Sequence, residues 1–213
     1  MDLEKAYSVK TPQDSKELYA AWATTYNETF IKANDYVYPR TIAEKFDAEI
    51  PNLEVNKVLD IGCGTGAVGS YLANLRPNLK IDGFDISPEM LAEAAILRRI
   101  DNSPVYNDLV EIDLTARLPN TEYDAMISAG TFTHGHLGPQ TLVALIQLVR
   151  VNGWFVIGIN AQHFELRGFA ATLRETHETG TISEVRLFEE QVYGVTSSHY
   201  GDTTQIAIFS RLK

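Results

Sequence analysis

The 213-residue chain reads as one three-layer α/β domain on a seven-stranded, mostly parallel sheet with an antiparallel last strand. Three observations predict this. From residue 57 onward, short apolar runs alternate with segments of helical periodicity, and repeated β-α units give a parallel sheet with right-handed crossovers. Gly62, Gly64, Gly66 and Gly69 follow the first apolar run directly. Two strand-like segments then end the chain with no helix between them, which implies a hairpin at the edge of the sheet.

Residues 13–48 read mostly as helix. "SKELYAAWATTYNETF" sets Leu18, Trp22, Thr25, Tyr26 and Thr29 along one stripe, and "PRTIAEKFDAEI" opens with Pro39, suited to a first helical turn. "KVLDIG" (57–62) is the first strand, and "AVGSYLANL" is the helix after it. "KIDGFDIS" (80–87) is the second strand. In the helix "SPEMLAEAAILRR", Ser87 suits the N-cap, Pro88 the first turn and Glu89 the positive end. "VYNDLVEID" (105–113) contains a strand, "YDAMISAG" (123–130) is another, and "PQTLVALIQLVR" (139–150) is a helix. "GWFVIGIN" (153–160) is strongly strand-like, and "HFELRGFAATLRETHETG" (163–180) returns to helix. "SEVRLFEEQVYG" and "TTQIAIFSRLK" supply the closing strands. Residues 1–50 form a helical lead-in to the domain proper at 51–213.

Bulk properties narrow the function. A hydrophobic content of 45% and a charged content of 22% are ordinary for a globular chain. The formal net charge of −10, with no basic cluster longer than Arg98-Arg99, argues against tracking a nucleic-acid backbone, which needs a basic surface. The single cysteine, Cys63, excludes an internal disulfide and a cysteine-based zinc site, and no metal is expected. The N-terminus lacks a signal-peptide core and no apolar run is long enough to span a bilayer, so a cytoplasmic, membrane-free protein is expected.

The glycines of "VLDIGCGTGAVGSYLA" pose a choice. Gly64, Gly66 and Gly69 give G-x-G-x-x-G, a dinucleotide fingerprint. Yet Asp60 stands two residues before Gly62, and a carboxylate at the mouth of the loop would repel a pyrophosphate. It would favour a cationic ligand, and S-adenosylmethionine carries an ammonium and a sulfonium.

"VLDIGCGTG" resembles motif I of the class I S-adenosylmethionine-dependent methyltransferases, and "DGFDISPEML" is similar to their second-strand motif. "EIDLTARLP" resembles the adenine-side motif, and "YDAMISAGTFTHGHL" the fourth strand with its loop. "YAAWATTYNETF" is similar to the Tyr-rich lid helix of small-molecule members. Within the class, "GTFTHGHLGP" most resembles methyltransferases related to the Williams–Beuren region protein.

The resemblance implies a Rossmann-like fold, an N-terminal lid and methyl transfer to a small molecule. It places Asp60 near the methionine ammonium, with Gly62 and Gly64 letting the cofactor lie against backbone. Asp85 would accept both ribose hydroxyls, Ile86 and Met90 would flank the adenine, and Leu114 would offer it an N–H. Asp113 would accept the adenine amino proton, a role Asp108 or Glu111 could also fill. Ala129 and Gly130 would line the donor methyl, and Tyr26 would close over the methionine portion. His134 and His136 are candidates to orient or deprotonate the acceptor, with His163 a further one. The family's Pro-Gly-Gly turn before the fifth strand stands here as Asn152-Gly153, still a good turn. Two other readings stay open: a non-catalytic binder of the same cofactor, and an NAD(P)-dependent oxidoreductase.

Overall fold

Helix-forming and strand-forming stretches alternate along the chain, and the computed structural model describes residues 11–51, 55–133 and 136–213. Helix α1 (Pro12–Tyr26) begins at a capping box, in which Thr11 and Asp14 satisfy each other's backbone amides. It runs into a π-helical segment, Asn27–Lys32, and the chain restarts as α2 (Tyr38–Glu49). The expected helical stripe is rotated. Thr25 and Thr29 are exposed, while Ser15, Ala23 and Phe30 are buried, so the inner face follows Tyr19, Ala23, Tyr26 and Phe30. The first ten residues of the expected lead-in lie outside the described residues.

Strands β1 (Lys57–Ile61), β2 (Lys80–Asp85), β3 (Asp108–Glu111), β4 (Tyr123–Phe132), β5 (Val149–Asn160), β6 (Arg186–Gln191) and β7 (Thr203–Ser210) form one seven-stranded sheet. Its order is β3-β2-β1-β4-β5-β7-β6. Strands β1 to β5 pair in parallel, and β7 is antiparallel to both β5 and β6. The expected closing hairpin is therefore present, with β7 inserted between β5 and β6.

Helices α3 (Ala67–Leu75), α4 (Pro88–Ala95), α5 (Pro139–Leu145), α6 (Ala161–Leu166) and α7 (Phe169–Glu178) complete the layers. The two faces of the sheet carry separate apolar clusters. One includes Phe46, Leu72, Ile81, Ile127 and Ile208, and the other includes Leu59, Phe84, Phe132, Phe155 and Phe169. Arg76, buried at the end of α3, donates to the Asp47 carboxylate at 2.8 Å and to the Ile50 carbonyl at 2.5 Å, docking α2 onto α3. No helix among the described residues is long and apolar enough to cross a membrane.

Several boundaries differ from the sequence expectation, among them the helix expected through Arg99, which ends at Ala95. The helix expected over 139–150 ends in a 3-10 turn at Ile146–Leu148, and Val149 already belongs to β5. Asn152-Gly153 is thus an internal bulge of β5, with Asn152 at φ 63° and a register shift against β4 between Tyr123 and Ala125. The helix expected over 163–180 breaks at Gly168, whose φ of 75° ends α6 and starts α7.

Candidate functional site

The parallel sheet aims the C-terminal ends of β1, β2 and β4 at one crevice, where ligands of open α/β sheets bind. A cavity of about 370 Å³ lies there. Its floor is the loop after β1. The Gly62 amide donates to the Phe84 carbonyl at 2.7 Å, which joins the end of β1 to the end of β2. Ser128 and Thr131 of β4 each donate a hydroxyl to the Ile61 carbonyl at 2.9 Å, so the third strand end is held to the same point.

Gly62 and Gly64 take left-handed conformations, φ 64° and 54°, which other residues adopt at a cost. They are small for different reasons. A Cβ at Gly62 would collide with the Thr131 side chain, whereas one at Gly64, which lines the cavity, would meet nothing within 4 Å. Gly69, the last residue of the dinucleotide-like fingerprint, is pressed by the phenol end of Tyr106. Its smallness admits a tyrosine, and the fingerprint reading loses that residue.

Asp85 ends β2 on the cavity wall. Its Oδ2 accepts from the Gly64 amide at 2.8 Å and its Oδ1 from the Ser87 amide at 2.9 Å. Burial raises its pKa, and those amides partly offset the rise. Ser87 also caps α4 by accepting from the Met90 amide at 3.3 Å, so Met90 and Ile86 face the cavity beside Asp85. Of the three acids around β3, Asp113 is the one on the cavity wall. Its Oδ1 accepts from the Thr115 amide and hydroxyl at 2.8 and 2.6 Å. Glu111 pairs instead with Lys16 of α1, and Asp108 is exposed at the edge of the sheet.

The remaining wall brings together Leu114, Ala129, Gly130, Tyr26 and His136 with the residues above. Asp60, like His163, does not line the cavity. It is fully buried beneath the loop, where its Oδ2 accepts from the Tyr106 hydroxyl at 2.7 Å and its Oδ1 has no hydrogen-bond partner among the described residues. Burial pushes its pKa up to about 7, against the Tyr106 bond and with help from the nearby Asp85 charge. The expectation that Asp60 sits at the mouth of the loop is corrected: apolar strand neighbours hold that position inside the sheet. Cys63 packs behind the loop against Gly83, and burial raises its thiol pKa well above the usual value.

His134 lies outside the described residues. His136 contacts the Tyr19 ring at 5.8 Å. His163 is buried, with Nε2 3.1 Å from the Leu137 carbonyl and its ring against Phe169, so it braces the loop before α5 from behind. Sequence reading missed several wall residues: Phe30, Tyr36, Tyr193, Thr131, Thr133 and Asn160. Tyr36 and Tyr193 meet through an isolated antiparallel bridge. Nothing local in either segment signals that meeting. Among the described residues, no group of three or more His, Cys, Asp or Glu side chains converges as a metal site.

Residues 59–155 match the profile of a family described as "Methyltransferase domain". A malonyl-[acyl-carrier protein] O-methyltransferase of Ilyobacter polytropus is 33% identical over 118 residues, 54% of this chain and 43% of that protein. A trans-aconitate 2-methyltransferase of Streptomyces avermitilis is 33% identical over 94 residues, 42% of this chain and 35% of that protein. The chain thus spans less than half the length of these curated relatives. Among solved structures, magnesium protoporphyrin IX methyltransferase from Synechocystis PCC 6803, with bound S-adenosylmethionine, superposes with a TM-score of 0.67 at 18% identity. That match covers 96% of this chain and 98% of the other. The chain therefore has the Rossmann-like fold seen in S-adenosylmethionine-dependent methyltransferases, and residues 59–155 are similar to a methyltransferase domain.

Proposed function

We propose that the protein is an enzyme that transfers a methyl group from S-adenosylmethionine to a small-molecule acceptor. The observation that carries this is the shared cavity floor of Gly64 and Asp85. A backbone with room where a Cβ would project stands beside a carboxylate held by two amides. Relatives and the superposed structure are methyltransferases by name, which supports the same reading.

The residues present fit the cofactor. Gly62 and Gly64 form a surface against which an amino-acid moiety lies, and Asp85 accepts two ribose hydroxyls. Ile86 and Met90 flank the adenine with apolar, polarizable surface. Asp113 and the Leu114 amide address the adenine edge, while Ala129 and Gly130 border the reacting end. Asp60 acts from below: by holding Tyr106 it fixes the glycine loop. The segment from α1 to α2 serves as a lid through Tyr19 and Tyr26, and Asn27 ties it to the loop by accepting from the Thr65 hydroxyl at 2.7 Å.

When bound, the cofactor supplies an electrophilic methyl whose leaving group is a neutral thioether, so the protein needs no acid there. Its own work is to align the acceptor and exclude water. Tyr26, Tyr19 and Phe30 close the cavity from one side, and His136 stands where it can orient an acceptor or take its proton. The net charge of −10 supports a small acceptor over a nucleic acid. The likeness of the "GTFTHGHLGP" loop to Williams–Beuren region relatives is consistent with this class and names no acceptor. The test is release of S-adenosylhomocysteine from S-adenosylmethionine across a panel of small amines, hydroxyls, thiols and carboxylates. Acceptor-dependent release is expected, and donor binding without release for any acceptor would contradict the enzyme.

A further inference from the structure

The acceptor side of the cavity is walled by one connected belt of rings. His136 lies 5.8 Å from Tyr19, Tyr19 6.4 Å from Tyr26, and Tyr26 4.8 Å from Phe30. Phe30 lies 5.2 Å from Tyr36, and Tyr36 5.5 Å from Tyr193. All six line the cavity. The belt reaches the reacting end, because a Cβ on Gly130 would stand 2.9 Å from the Tyr36 hydroxyl oxygen. Tyr36 is fixed there by its neighbours. The Gly194 amide donates to the Asp35 carbonyl at 2.7 Å, the Thr196 hydroxyl to the Asp35 carboxylate at 2.6 Å, and the Tyr38 amide to the Val192 carbonyl at 3.2 Å.

Charge in this chamber has one sign. Among the described lining residues the charged side chains are Asp85 and Asp113, and no lysine or arginine is present. Lys16 and Arg117 open instead onto an adjoining groove, which shares Ile86, Ile112 and Asp113 with the cavity, and there Lys16 pairs with Glu111. A carboxylate entering the chamber would lose hydration with no lysine or arginine of the described lining to meet it. A cation would meet aromatic rings, whose π systems attract it, inside a chain of net charge −10.

We infer that the acceptor is an amine, received against the Tyr36 side of the belt, and not a carboxylate. This rests on the methyltransferase reading above. The ammonium form enters, and the nearby sulfonium charge favours loss of its proton to water or His136. The freed nitrogen lone pair forms the N–C bond as the S–C bond breaks, and that bond's electron pair stays on sulfur as the thioether. The N-methylammonium product then leaves or sheds one proton to solvent. The acids named for two curated relatives would be poor acceptors here.

Binding to the full chain saturated with S-adenosylhomocysteine tests this without turnover. Calorimetry would compare 2-phenylethylamine with phenylacetate, one skeleton with opposite charges. The amine is expected to bind about tenfold tighter or more. Tyr36→Leu should weaken the amine about fivefold, Tyr36→Phe should keep it, and both variants should retain S-adenosylhomocysteine affinity as evidence of folding. Equal or tighter binding of phenylacetate, binding of neither, or an unaffected Tyr36→Leu would overturn the inference and leave the donor site standing. Failure of S-adenosylhomocysteine to bind would overturn the methyltransferase reading itself.

Discussion

The Gly64 amide donates a 2.8 Å hydrogen bond to Asp85 Oδ2, tying the loop after β1 to the end of β2 across the cavity floor. One carboxylate therefore does two things: it shapes the loop and lines the cavity. Asp85→Ala removes both, and S-adenosylhomocysteine affinity should fall by about tenfold to a hundredfold, the range for hydrogen bonds to a charged group. Asp85→Asn keeps an acceptor oxygen and should lose less. Titration of the two variants against wild type checks the order, and unaltered affinity in Asp85→Ala would contradict the placement of the ribose.

Gly62 and Gly64 separate stability from binding. Gly62→Ala drives a methyl into the Thr131 side chain at a left-handed backbone position, and thermal unfolding should show a loss of about 1–3 kcal/mol. Gly64→Ala meets no protein atom. Its stability cost should be about 1 kcal/mol, from backbone strain, and donor binding should weaken, since Gly64 lines the cavity.

Asp60 carries a pH signature. Its pKa is raised from the unfolded carboxylate range, about 4, to about 7 in the fold, so the folded protein holds this proton more tightly than the unfolded chain. The stability it contributes is present below about pH 4, declines as pH rises toward 7, and is absent above that. Asp60→Asn keeps an acceptor for the Tyr106 hydroxyl and removes the titration. Urea unfolding at pH 5 and pH 8 should show a smaller difference between the two conditions in Asp60→Asn than in wild type. An unchanged difference would mean that Asp60 titrates normally.

The histidine loop has its own readout. His136 lies against Tyr19 on the cavity wall, so His136→Ala should lower turnover by about tenfold or more while leaving S-adenosylhomocysteine affinity near wild type. Unchanged turnover in both His134→Ala and His136→Ala would remove the loop from the mechanism.

The sheet was legible because each strand is a short apolar run between turn residues, and the β-α rhythm fixes its parallel part. Ser87, Pro88 and Asp85 were legible for the same local reason: cap, first turn and strand end are adjacent in sequence. Residue 168 shows the limit. A helical periodicity runs through it, and only its positive φ reveals two helices. Asn152-Gly153 likewise looked like a turn and became a bulge, because Val149 had already joined β5 opposite Tyr123. The acceptor wall was least legible. Tyr36 and Tyr193 are brought together by β7 inserting between β5 and β6 and by one backbone bridge, a relation that no local pattern encodes. The burial of Asp60 was hidden too, since its partner Tyr106 reaches it from the loop before β3.

Calorimetric titration of the purified chain with S-adenosylhomocysteine, with NAD as the parallel ligand, tests the donor site most directly. Saturable binding of S-adenosylhomocysteine near the micromolar range, about −8 kcal/mol, with none of NAD, is the expected result. Binding of NAD alone would contradict it and return the glycine loop to the dinucleotide reading.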